Sequence, residues 1–157
     1  MSPMDLDGYI FNKKEHPMVE SLYTFLAAVG FTHPLHPMLT HVPMGMIIGM
    51  VVFSLLDSFW QNKNFSATSF HCSVLALLSV GPVIVAGILD WLHLQQGEWN
   101  TYIIIKMILG AILTLLLAVS VTVKLKGASG KNMLLINFLC LACAGGLGYA
   151  GGSLVYG

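Results

Sequence analysis

The sequence predicts an all-α membrane protein, an up-down four-transmembrane-helix bundle preceded by an N-terminal interfacial helix or arm. Three observations carry that expectation. Hydrophobic residues make up 56% of the 157 and charged residues only 9%, with a mean hydropathy of +0.79, against roughly a quarter charged in soluble domains. Four long stretches are apolar and nearly free of charge, and about 20 such residues suffice to cross a hydrocarbon core of about 30 Å. The links between them run to about ten residues, short enough to make consecutive spans antiparallel neighbours.

Residues 1–35 form the first unit, an amphipathic or extended arm at the outer surface. It is charged as far as Glu20, through Asp5, Asp7, Lys13, Lys14 and Glu15, and then moderately apolar through Leu22-Tyr23-Thr24-Phe25-Leu26. This order is not the lysine, apolar run and small-residue site of a cleavable signal peptide. A helix on the membrane surface is the plain expectation, and an arm reaching over a partner subunit the alternative. Residues 36–157 form the membrane domain. Its first span covers residues 37–56, closed by Asp57, Trp60 and Lys63; the second covers 70–91 and runs out in Asp90-Trp91-Leu92-His93. The third covers 101–123, interrupted only by Lys106, and the fourth 132–156.

Lysines near span ends stay on the cytoplasmic side. Lys63 lies in the link between spans one and two, and Lys124, Lys126 and Lys131 in that between three and four, whereas the link Leu94–Asn100 has none. Both termini are therefore expected on the periplasmic side of a bacterial inner membrane. A formal net charge of zero, with seven lysines and no arginine, argues against nucleic-acid binding. Three cysteines without metal-ligand spacing argue against zinc, a disulfide framework or covalent haem. No glycine-rich phosphate loop or nucleophile–base motif points to a hydrolase.

This topology gathers the chemically interesting residues at the outer end. Span one brings His33, His36 and His41, span two Asp90 and His93, and span three Lys106. Ionisable groups inside a span are costly unless paired or facing a cavity, which makes them functional candidates. Asp90 with Lys106 reads equally as a structural ion pair or as part of a cofactor-binding outer pocket, in which Asp90 would accept or relay a proton. Two chemistries remain open for the histidines: axial ligation of a non-covalent haem b, with His41 and His93 on the iron and His36 able to replace either, or hydrogen bonding and proton exchange with a quinone. His36 and His41, five apart, stand about 140° apart around a helix. Gly148 and Gly152 have the small-x-x-x-small spacing of close helix contact, and Cys140 and Cys143 read as small core residues.

The segment His36-Pro37-Met38-Leu39-Thr40-His41-Val42-Pro43, with Gly87-Ile88-Leu89-Asp90-Trp91 and Gly151-Gly152-Ser153-Leu154-Val155-Tyr156, resembles a family of bacterial four-span membrane proteins, the domain of unknown function 2231. Members look like relatives of small haem b membrane cytochromes and accompany c-type cytochromes. The resemblance thus implies electron transfer beside c-type cytochromes and other membrane subunits. It also implies two departures: the family pattern has a histidine in span three, where this chain has Lys106, and another after the Leu-Val-Tyr segment. If those histidines ligate haem in relatives, the haem is lost here and the fold kept. The expected function is a membrane subunit of a respiratory or photosynthetic electron-transfer complex; the alternative is a structural or assembly subunit without a cofactor. The sequence leaves open whether either is catalytic. A transporter ranks lower, since inverted repeats and a polar midplane path are lacking.

Overall fold

The structure, a computed structural model, describes residues 16–60, 63–127 and 130–156. Five helices follow one another: α1 (Pro17–Ala28), α2 (Leu35–Trp60), α3 (Lys63–Leu94), α4 (Thr101–Leu125) and α5 (Gly130–Tyr156). Four of them, α2 to α5, are long and apolar enough to cross a membrane. At 1.5 Å per residue even the 25 residues of α4 exceed the roughly 30 Å of hydrocarbon. Residues 1–15 of the expected arm lie outside the described residues.

Helix ends follow local sequence chemistry. Pro17 opens α1, where its missing N–H costs nothing and its φ is already helical. The helix stops at Gly30, whose φ of +87° only glycine adopts cheaply. The Gly30 N–H donates to Ala27 O (3.0 Å) and the Phe31 N–H to Leu26 O (2.9 Å), the paired bonds of a Schellman ending. The Asn100 side chain caps α4 by accepting from the Ile103 N–H at 3.0 Å.

The four long helices pack in cyclic order, α2 against α3 and α5, and α4 against α3 and α5. Each is antiparallel to the next, as cross-helix contacts at both ends require: His36 meets Val83 and Ser54 meets Ser69, while Cys143 meets Leu109 and Asn137 meets Ser120. The core is built of Ile47, Met50, Ala76, Val80, Leu113, Leu117, Cys140, Cys143 and Ala144. Outward, the bundle shows large apolar side chains such as Leu78, Leu115 and Leu135, each about two-thirds exposed. In water such a surface would aggregate; in a bilayer it is solvated. The fold is thus the all-α four-span bundle that composition predicts, and the chain is a multi-pass membrane protein in contact with lipid.

Candidate functional site

The polar groups concentrate at two levels, an Asp90 end and an Asn137 level. His36 and Ser54, one on each, are 18 residues apart on α2, or about 27 Å of helical rise.

At the Asp90 end the chain reads Pro34-Leu35-His36-Pro37 as α2 begins. A helix start leaves four N–H groups without intrahelical partners. Here two are absent because the residues are prolines, and the other two both find Asp90: the Leu35 N–H donates to Oδ1 (3.0 Å) and the His36 N–H to Oδ2 (2.7 Å). The Tyr23 hydroxyl of α1 donates to the same Oδ1. Asp90, only 7% exposed, is therefore a helix cap supplied from α3, and its negative charge faces the positive end of the α2 dipole.

That assignment changes the reading of Lys106. Among the described residues the His93–Glu20 contact is the one ion pair, so the expected Asp90–Lys106 pair does not form. The carboxylate is turned instead to the start of α2 and to Tyr23, from which it accepts three hydrogen bonds. Lys106 lies within electrostatic reach of both Asp90 and His36, half-buried and without a hydrogen bond to any described residue.

The three candidate histidines have three different surroundings. The half-buried His36 ring points into the α2–α3 contact, where Nδ1 donates to Val83 O at 3.0 Å. A Cβ at Gly87 would lie 2.9 Å from that nitrogen, so glycine is what admits the ring. With Nδ1 carrying the proton, the neutral ring keeps its lone pair on Nε2. His41 is exposed and turns its Nδ1 back onto its own helix, to Pro37 O at 2.7 Å. His93, in the last turn of α3, stacks on Tyr23 with centroids 3.9 Å apart and planes within 2°, and its Nδ1 lies 3.3 Å from Glu20 Oε1. Burial, then the hydrogen bond to Asp90, then its charge push the Tyr23 phenol well above the usual range.

His41 and His93 thus have separate surroundings, one open and one covered by α1, and no contact between the two joins them. The structure does bring together His36, Asp90 and, within electrostatic reach, Lys106, and it adds Tyr23 and Glu20 from α1. The sequence reading missed these two because an arm without strong periodicity does not announce which face it docks.

The Asn137 level was missed altogether. The Asn137 Nδ2 donates to Ser54 Oγ (2.7 Å), and Ser120 Oγ donates to Asn137 Oδ1 (2.9 Å). Ser69 Oγ donates to Met50 O (2.9 Å), which leaves Ser54 as donor in its 2.7 Å contact with Ser69. One side chain from each spanning helix is tied into this buried knot. Next to it a cavity of about 20 Å³, lined by residues including Asp57, Ser66 and Lys124, has room for one water. An asparagine and serines inside apolar spans were the available signal.

Comparison with known proteins decides the family. The chain belongs to the DUF2231 family, described as a predicted membrane protein, whose model matches residues 32–157. The matched region begins just before α2 and takes in all four spanning helices, so the family domain is the bundle. No curated protein and no solved structure matches the chain.

Proposed function

We propose that this DUF2231 protein is a membrane subunit of a bacterial electron-transfer complex, and that its Asp90 end binds a quinol, with Lys106 and His36 as polar contacts. The observation that carries the reading is Lys106: a half-buried ammonium with no hydrogen-bond partner among the described residues, beside an imidazole oriented by Val83 O. An ammonium that deep in a span is costly unless it is paired or faces a cavity, and the anion within its electrostatic reach, Asp90, is already engaged by the start of α2 and by Tyr23. Its Nζ can donate to a quinone oxygen, and His36 Nε2 can accept one hydroxyl proton of a quinol. Oxidising a quinol releases two protons and two electrons; the second proton goes to water and the electrons to a one-electron acceptor on a partner, for which a c-type cytochrome is the expected class. Asp90 keeps both groups in register without reacting.

The lysines at the helix ends around the α2–α3 and α4–α5 turns, Lys63, Lys124, Lys126 and Lys131, support a cytoplasmic Lys124 end, with the Asp90 end and both termini periplasmic. The second reading, a bracing subunit with no cofactor, is supported by the Asn137 knot, which ties all four helices. The test is quinone analogue binding by the detergent-purified chain, read as fluorescence quenching. Binding that is lost in Lys106→Gln and weakened in Gly87→Ala, whose methyl group displaces the His36 ring, is the expected result. A folded chain that binds no quinone favours the bracing subunit.

A further inference from the structure

Helix α1 presents three faces of different chemistry. Val19, Glu20, Tyr23 and Leu26 are the buried or half-buried positions, and Tyr23 and Glu20 dock on Asp90 and His93 of α3. Met18, Leu22, Phe25 and Val29, spaced by four, three and four residues, lie on a second face. They are 87%, 36%, 65% and 65% exposed. Ser21 and Thr24, with Pro17 and Ala28, form a third face, also exposed, of small residues whose polar members are the two hydroxyl side chains. At 100° per residue the three stripes are each about 120° apart.

A helix beside a membrane bundle with one face on protein, one apolar and one polar has the pattern of an interfacial helix. Its level agrees. The docked residues sit at the last two turns of α3, next to Trp91, whose ring meets Trp99 edge-on at 4.8 Å, and Trp99 and Tyr102 are exposed at the same end. Tryptophan and tyrosine collect where acyl chains meet headgroups. The apolar stripe of α1 is then continuous with the lipid-facing surface of the bundle, while Ser21 and Thr24 face water.

We propose that α1 lies in the headgroup boundary of the leaflet at the Asp90 end, with Met18, Leu22, Phe25 and Val29 inserted among acyl chains, and that this insertion holds Tyr23 on Asp90. The occupant of the stripe is lipid. The cover over Asp90 and His93 is therefore set by the membrane as well as by hydrogen bonds. This inference does not rest on the quinol reading.

The test uses the full chain in phosphatidylcholine nanodiscs, with Phe25→Trp and, separately, Thr24→Trp. Each emission is read as the difference from the parent, which has Trp60, Trp91 and Trp99. Both positions are exposed, so neither change disturbs packing. The tryptophan at 25 should emit to the blue and be quenched by lipids brominated high on the acyl chain, whereas that at 24 should be quenched by aqueous iodide. Iodide quenching of both alike would overturn the proposal by putting the stripe in water. Protection of position 25 from both quenchers would overturn it by putting protein there.

Discussion

Replacing Asp90 with alanine should cost the bundle about 2 kcal/mol, the upper end for loss of a helix cap, because two half-buried backbone donors, Leu35 N–H and His36 N–H, lose their acceptor together. Neither can turn elsewhere, since both belong to the first turn of α2. The Tyr23 hydroxyl also loses Asp90, but Tyr23 is only half-buried and can turn to water, adding little. Asp90→Asn keeps one acceptor oxygen and presents an NH₂ to the other donor, so about half the loss is expected, near 1 kcal/mol. The assay is reversible unfolding in mixed micelles with increasing dodecyl sulfate, followed by tryptophan fluorescence. Asp90→Ala within about 0.5 kcal/mol of the parent, the range of an ordinary surface change, would refute the capping role. Equal losses for alanine and asparagine would refute it differently: the negative charge facing Lys106 would then matter more than acceptor geometry.

Two further outcomes follow from the same contacts. Asn137→Leu removes the hub of the four-helix knot; at about 0.6 kcal/mol per interhelical hydrogen bond in membranes, with Ser54 and Ser120 each losing a partner, a loss of about 1–2 kcal/mol is expected, and Ser120→Ala should cost about half of it. Tyr23 has its phenol raised in the folded state, so its contribution to stability is complete below the ordinary tyrosine value of about 10 and is lost as pH rises through the higher folded value. Stability should therefore show no Tyr23-dependent change between about pH 6 and 9, and a phenolate difference titration against Tyr23→Phe should place this group's ionisation above that of free tyrosine.

How much of this was legible in the sequence differs from residue to residue. The sequence alone determined the four spans, their antiparallel order and the end at which His36, Asp90, His93 and Lys106 gather. Spanning a bilayer is decided by local properties, the length of an apolar run and the position of charges, and both are written along the chain. Tertiary structure decided which group each polar atom meets. Asp90 pairs with backbone 55 and 54 positions away and with a tyrosine 67 positions away, not with Lys106, because each residue turns a helix by 100° and docking selects the face. The same reason separates His41 from His36: both lie on α2 near its start, yet one opens outward and the other fills the space that Gly87 leaves. The Asn137 knot is the clearest case, since four unremarkable side chains on four helices become one hydrogen-bonded unit only when the bundle closes, and inside a membrane each must find its partner within the protein.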